Sequence, residues 1–409
     1  MRQSLINDER LAELSEVSFL VGDIERLGNI EMIRPLMPFN DNVMAFLNDL
    51  SAELMSDSTA KLYPDIVTLG FWLRKASLIK LRERFEKNDG NIHLGKGILF
   101  HIAPSNVPVN YAYSLFSGLL MGNINIVRIP SKDFPQVGII NSAINETLRS
   151  HRFMADYIFL VRYDRDKKIN DFFSSVADVR IVWGGDATID EIRKSPLQPR
   201  AGEVTFADRY SLAVIDSDHY IGLDNKERFA EKFYNDTYLS DQNACTSPRI
   251  VIWLGKSIAQ AKSIFWNALH VLVRAKYKLQ PVVSVNKLTS AYIAAAVRDG
   301  VQVVQHEDNY LVRVALSHLE AEIMELKDNS GYFFEYDCGD IMELRDLCND
   351  KRCQTIGFLG KKDVLMPLLM SGIKGVDRVV PIGSSMDFDL IWDGYNLYER
   401  FTRTICTKI

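Results

Sequence analysis

The sequence is poor in the features that most often announce a function. Its five cysteines, Cys245, Cys338, Cys348, Cys353 and Cys406, are odd in number and form no CxxC pair. Cys348 and Cys353 are close, but no histidine cluster at ligand spacing accompanies them, which argues against a structural zinc site or any other metal. Reduced thiols in a cytoplasmic enzyme are the expectation. The GxGxxG dinucleotide fingerprint is missing, so an ordinary Rossmann dehydrogenase cannot be argued from motif. No apolar run is long enough for a bilayer span, since the most apolar one, residues 111–121, is short and contains Ser114 and Ser117. Residues 1–15 mix charged and apolar side chains and lack the continuous apolar core of a secretory signal. Repeats, low-complexity runs and polybasic arms are absent, and the net charge of -5 argues against nucleic acid or an anionic membrane as a partner.

What is present is a globular composition, 47% hydrophobic and 25% charged, in 409 residues, a length that suggests two domains with a helical extension. Residues 1 to about 90 read as mainly helical, with Phe46, Leu47, Leu50 and Leu54 at helical spacing and Trp72, Leu78 and Leu81 in a later stretch. From Gly97 onward, short apolar runs alternate with amphipathic segments, the pattern of a parallel α/β sheet. Strands are predicted at 98–102, 124–129, 157–161, 179–183, 211–216, 250–254, 301–304, 332–334 and 355–358. Helices are predicted at 109–121, 134–149, 227–238, 257–277, 290–298 and 363–370. Gly122-Asn123 suits a left-handed cap on the first of these. The expected division is a helical segment over 1–94, a cofactor-binding α/β domain over 95–205, a catalytic α/β domain over 206–385 and a C-terminal segment over 386–409.

Three separated features point to one chemistry. Small and polar residues, Ser240-Asp241-Gln242-Asn243-Ala244-Cys245-Thr246-Ser247-Pro248, surround a cysteine directly before an apolar strand, where a substrate could reach its sulfur. A cysteine alone is more often a small buried hydrophobe. Asn106 lies in a strand-to-helix turn between two prolines, where its amide could be aimed at a developing oxyanion. Arg128 and Lys132 flank the turn at Pro130-Ser131 after another strand, where they could hold ribose or phosphate. Gly184-Gly185 follows a strand and precedes a helix, which suits a bound phosphate or nicotinamide, although such a pair is as often a plain turn.

In this order the features resemble the aldehyde dehydrogenase superfamily. Ala103-Pro104-Ser105-Asn106-Val107-Pro108 is similar to its Pro-Trp-Asn-Phe-Pro turn, and residues 122–132 to its Gly-Asn-Thr-Val-Val-Val-Lys-Pro-Ser-Glu segment. Trp183-Gly184-Gly185-Asp186 falls at the family's Gly-Ser turn. The likeness is closer to the fatty acyl-CoA reductase branch, typified by the reductase subunit of bacterial bioluminescence. It rests on His101 to Pro108, on Asp241-Gln242-Asn243-Ala244-Cys245-Thr246-Ser247-Pro248, and on Val376-Asp377-Arg378-Val379-Val380-Pro381-Ile382-Gly383 followed by Trp392-Asp393-Gly394-Tyr395. It covers roughly residues 95 to 405.

The resemblance implies an aldehyde dehydrogenase-like fold, with two α/β domains built on parallel-type sheets. It implies Cys245 and Asn106 as catalytic residues, and Arg128, Pro130, Ser131, Lys132, Gly184 and Gly185 as cofactor-binding residues. Two departures direct the reading. Where aldehyde-oxidising members carry Glu-Leu-Gly-Gly-Lys, this chain has Val204 to Tyr210 without a glutamate in register, and Glu203 is out of place. Without a base to activate water, the acyl-enzyme is expected to be resolved by hydride. Arg128 and Lys132 replace the family's lysine and acid, which favours NADPH, with NADH the alternative. The expected reaction is reduction of an acyl-CoA or acyl-protein thioester to an aldehyde, in a homo-oligomer supplied by an acyl-transferase or synthetase partner. The rival readings are an oxidative aldehyde dehydrogenase and a non-redox acyl-binding scaffold. His101 reads as structural rather than a proton carrier, and Tyr113, Phe116 and Leu120 as core rather than an acyl tunnel. Glu343 and Asp387 are acids for which the sequence suggests no partner.

Overall fold

Short, mainly apolar runs after residue 97 read as strands covered on both faces, and they fold that way. Ile98–Ile102 and Val179–Trp183 are buried at every position, as strands in a helix-covered parallel sheet must be. The computed structural model describes residues 6–408 except 88, 105–106, 131 and 305–307. Asn106 and Ser131 therefore lie outside the described residues. The chain divides into two compact units, one of residues 1–207 and 388–409, the other of residues 208–387.

The first unit contains β1 (Ser18–Val21), β2 (Ile92–Gly95), β3 (Ile98–Ile102), β4 (Ile124–Arg128), β5 (Ile158–Arg162), β6 (Val179–Trp183) and β7 (Gly202–Phe206). Six of them form a sheet in the order β1-β5-β4-β3-β6-β7, parallel except for β1, which runs against β5. The chain steps from β3 out to β4 and β5, then returns to lay β6 on the other side of β3. Ligands bind outside the carboxyl ends of strands at such a reversal. The helix Asn110–Leu120 links β3 to β4 and is buried from Tyr111 onward. It ends at Gly122, whose φ of 80° gives the left-handed cap. A Cβ there would meet the Leu36 carbonyl oxygen at 2.2 Å, so only glycine fits.

The helices Asp41–Ser56, Pro64–Trp72 and Lys75–Phe85 bury Phe46, Leu47, Leu50, Leu69 and Leu78 in the same apolar core as this sheet. Residues 18–21 depart from the helical reading. They form an edge strand four residues long, too short for a period-2 pattern to show. The C-terminal stretch returns to this unit, where Thr402–Ile405 pairs antiparallel with β2. Trp392-Asp393-Gly394-Tyr395 is a two-residue hairpin with Asp393 and Gly394 at φ 48° and 73°, the turn that favours Asp-Gly.

The second unit contains β8 (Tyr210–Asp216), β9 (Pro248–Leu254), β10 (Gln302–Val304), β11 (Val312–Leu316), β12 (Tyr332–Asp337), β13 (Cys353–Leu359) and β14 (Arg378–Pro381). Their order is β10-β11-β12-β9-β8-β13-β14, parallel except for β10 against β11. Apolar cores lie on both faces, one around Phe265, Trp266 and Phe333, the other around Ile250, Phe334 and Ile356. Among the described residues no helix is long and apolar enough to cross a membrane.

Candidate active site

The loop carrying Cys245 is built on two consecutive left-handed residues. Helix Lys226–Thr237 runs into a short turn, and Asp241 and Gln242 then adopt φ of 51° and 57°. Neither is glycine, so each costs on the order of 1–2 kcal/mol that surrounding contacts must offset. Gln242 supplies most of them. Fully buried, it donates from Nε2 to the Pro248 and Tyr332 carbonyls at 2.8 and 3.0 Å. Its Oε1 accepts from the Gly331 and Tyr332 N–H groups at 3.0 and 3.2 Å. The amide thereby fastens the loop to the amino end of β12 and to its own exit strand.

Neighbouring residues add to this. Tyr277 donates its hydroxyl to Asp241 at 2.6 Å, the Asn329 amide donates to Asn243 Oδ1 at 2.8 Å, and Ser211 Oγ donates to the Cys245 carbonyl at 2.7 Å. Thr246 Oγ1 lies 3.2 Å from Met386 Sδ. Met386 belongs to a segment that Asp236 holds by accepting from the Gly383 and Ser385 N–H groups at 2.6 and 3.0 Å. Burial, against those two hydrogen bonds, raises the Asp236 carboxyl to about 6.

Cys245 itself is half-buried and in no disulfide. The other thiols differ. Cys338, Cys348 and Cys353 are buried, with burial pushing Cys338 up to about 12, and the hydrogen bond with Cys348 and then burial raising Cys353. Cys406 is exposed near the C-terminus.

In the first unit, Ile102 of β3 is level with Arg128 of β4 and Val182 of β6, so the turns leaving these strands start side by side at the reversal point. Arg128 lies over the Tyr163 ring at 4.6 Å and donates to the Tyr163 carbonyl at 3.3 Å. Pro130 is buried, and the exposed Lys132 has its ammonium 4.8 Å from the Phe134 ring centre. Gly184 packs on Thr188, where a Cβ would sit 3.0 Å from Cγ2. Gly185 is the N-cap of the helix Asp186–Arg193, and among the described residues no atom lies within 4 Å of an added Cβ.

His101 is structural. It is fully buried between Ser114 Oγ at 2.7 Å and Asn125 Oδ1 at 3.0 Å, and burial holds its imidazole neutral by lowering it to about 3. Tyr113 stacks on Phe388 at 5.1 Å within the core, and Phe116 and Leu120 are wholly buried there. Glu203 is bound by Arg180 at 2.6 Å and Arg193 at 2.8 Å. Burial alone would raise its carboxyl, but those arginines hold it below the ordinary range. Glu343 caps the turn Ile341–Leu344 and accepts from the Gly339 and Asp340 N–H groups.

The tethers of the cysteine loop were not legible as such. Asn329-Ser330-Gly331 carries an ordinary turn signal, yet it holds Gln242 and Asn243. Lys287 gave no signal at all. It is fully buried, donates to the Asn309 and Ser330 carbonyls at 2.6 and 2.7 Å, and is lowered to about 8 by burial.

Comparison with known proteins agrees with this architecture. The model of the family described as acyl-CoA reductase (LuxC) matches residues 74–404. Long-chain acyl-protein thioester reductase 2 of Photobacterium leiognathi is 26% identical over 166 residues, 40% of this chain. That alignment spans about a third, 34%, of the relative's length. Among solved structures, an NAD-dependent benzaldehyde dehydrogenase from Corynebacterium glutamicum superposes with a TM-score of 0.63 at 14% identity, covering 95% of this chain and 94% of the other. Aldehyde dehydrogenase 21 from Physcomitrella patens, in complex with the product succinate, gives 0.64 at 11% identity, covering 93% and 88%. Both likenesses are of fold, the aldehyde dehydrogenase-like α/β architecture.

Proposed function

The chain belongs to the acyl-CoA reductase (LuxC) family, and on that footing we propose that it reduces an acyl thioester to an aldehyde through a covalent acyl-enzyme on Cys245. The observation that carries this reading is the fixing of Cys245. It is a half-buried thiol on a loop clamped by Gln242, Ser211 and Asn329, while Cys338, Cys348 and Cys353 are buried in the second unit. The thiolate attacks the thioester carbonyl, the new carbon–sulfur bond forms, and the donor's thiolate departs. Asn106 and the Cys245 backbone N–H are assigned to the oxyanion.

The fate of Glu203 supports reduction over hydrolysis. With two guanidinium groups on its carboxylate it is no base for water, so the acyl group stays on sulfur. A bound nicotinamide cofactor supplies the hydride. Arg128, Pro130, Ser131, Lys132, Gly184 and Gly185 are assigned to holding it. The reversal of strand order supports that fit, as does the space that the described residues leave around Gly185. The exposed Lys132 ammonium favours NADPH, since a 2′-phosphate gains from a nearby cation. Residues 95–205, within the first unit, are accordingly assigned to the cofactor and residues 206–385, essentially the second unit, to catalysis. The name of the Photobacterium relative supports a protein-borne acyl donor beside acyl-CoA.

Intact mass after incubation with a panel of acyl-CoAs tests the proposal. The wild-type protein gains one acyl group and oxidises NADPH, whereas Cys245→Ala does neither. An acyl adduct of undiminished yield on the variant would end the assignment.

A further inference from the structure

The second sheet has a reversal of its own. The chain lays β9 and later β12 on one side of β8, then returns to lay β13 on the other. The carboxyl ends of β8 and β13 abut, since a Cβ added at Gly360, which follows β13, would lie 3.2 Å from the Cβ of Asp216. At this edge, where β13 and β14 end and the turn before helix Lys226–Thr237 passes, lies a cleft of about 340 Å³. That is the small end of the range for ligand sites, in the place where an open sheet offers one.

The cleft is divided chemically. Its apolar wall is only partly covered by the protein, because Leu223, Phe358 and Leu359 are half-buried and Pro381 is exposed. Its rim carries Arg228 and Lys232, both exposed and one turn apart on the same helix. The Lys232 stem lies along Gly383, where an added Cβ would sit 2.7 Å from the lysine Cβ. These two cations run against local preference. Like charges at i and i+4 repel, and Arg228 stands in the first turn of its helix, where a cation opposes the dipole. Among the described residues neither has a carboxylate at ion-pair distance, and Glu231, which lies between them in sequence, pairs with Lys276 at 2.9 Å instead. Lys226, by contrast, is occupied by the Ile221 and Leu223 carbonyls at 3.0 and 2.8 Å and holds the turn at the cleft's edge. Asn225 already caps the Arg228 N–H at 2.7 Å, so an anion here meets side chains rather than the helix end. Asp224 is the acid of the rim, exposed and likewise without an ion-pair partner among the described residues.

We propose that this cleft is a second ligand site, which takes a small phosphate monoester on a planar or apolar body, as in a nucleoside monophosphate. Arg228 and Lys232 hold the phosphate, Phe358 and Leu359 cover one face of the body, and Asp224 accepts from a sugar hydroxyl. The site is remote from the thiol. Leu359 is level with Ile215 of β8, and Ile215 with Trp253 near the carboxyl end of β9, whereas Cys245 precedes β9. Along the strands that is on the order of 20 Å. Occupancy of the cleft is therefore independent of whether Cys245 is the nucleophile.

Isothermal titration of the full-length protein tests this, with AMP, ribose 5-phosphate and inorganic phosphate as probes and saturating NADPH present to fill the proposed cofactor site. AMP should bind most tightly and inorganic phosphate most weakly. Arg228→Gln combined with Lys232→Gln should weaken AMP about tenfold or more, since two charge-assisted contacts go. Both side chains are exposed, and without ligand the double variant should melt no lower than the wild type, because a repulsive pair has been removed. Lys132→Ala should leave AMP binding unchanged. Absence of AMP binding, or binding that survives the double substitution, overturns the proposal. AMP binding lost in Lys132→Ala also overturns it, by assigning the nucleotide to the cofactor site. Inorganic phosphate bound as tightly as AMP does the same, by leaving the apolar wall without a role. A double variant that melts well below the wild type without ligand marks the cations as structural and overturns it too. A protein that binds AMP here yet forms no acyl-enzyme would lose the proposed function and keep this site.

Discussion

The loop before β9 and the turn after β6 are both short connections at the end of an interior strand, and they are held in opposite ways. Gln242, Asn329, Ser211 and Tyr277 bind the cysteine loop through side chains, two of its residues are forced left-handed, and Gln242 is fully buried. Among the described residues the Gly184-Gly185 turn has no side-chain cap and nothing lies within 4 Å of a Cβ added at Gly185. Lys132, at the neighbouring turn, is exposed. A nucleophile must stay within a few tenths of an ångström of its attack position, so fixing it in advance lowers the barrier. A dissociable cofactor must enter and leave, and a turn closed beforehand would obstruct that.

The comparison can be broken most severely at Gln242. Gln242→Ala leaves two carbonyls and two N–H groups without their partner inside the protein, which should cost on the order of 3–5 kcal/mol. Urea unfolding measures that loss, and acylation by acyl-CoA should slow with it. A variant as stable and as fast as the wild type would show that the clamp is idle.

Asp236 tests the same holding at one remove, through the segment that meets Thr246. Its carboxyl is raised from 3.8 to about 6, so its contribution to stability is fully present below about pH 4 and is lost as pH rises through about 6. The fall should be on the order of 2–3 kcal/mol. Asp236→Asn cannot ionise, so its urea midpoint should lose that slope between pH 4 and pH 6.5. Parallel profiles for variant and wild type would show that the carboxyl titrates elsewhere. The smallest effect belongs to the cofactor side, where Lys132→Ala should raise the KM for NADPH about tenfold and that for NADH little, with acylation of Cys245 unaltered. Equal changes for both nucleotides would refute the phosphate assignment.

Much of the fold was legible because buried parallel strands are written as mainly apolar runs. Ile98–Ile102, Ile124–Arg128 and Val179–Trp183 are such runs despite the buried His101, Asn125 and Arg180, and each is a strand. In the second unit a charge did break the pattern. Val312–Leu316 was not predicted because Arg313 interrupts it, yet that arginine lies 3.4 Å from Glu335 of the neighbouring strand. Glu335 likewise cut the predicted strand at 332–334 short of its end at Asp337, although its carboxylate accepts from both Trp253 and Trp266 inside the core. The helix Pro281–Val297 was predicted only from 290, because Val282 and Val285 are exposed and blur the amphipathic period. At the site, the cysteine and its small neighbours could be read locally. The partners that hold them, Gln242 to Tyr332 and Arg249 to Asp328, meet across some eighty to ninety residues, a relation that a linear pattern does not carry.

One pairing also governs how the molecule is made. The strand Ile92–Gly95 has as its partner Thr402–Ile405, and Thr404 meets His93 at 3.3 Å across a sequence separation of 311. During synthesis at about 5–20 residues per second, the early strand therefore waits tens of seconds with an open edge. Its shortness is protective over that interval, since four residues offer little template for a stray chain. The second unit must be synthesised before the first can be completed, which makes Thr402–Ile405 the latch of a domain begun before it.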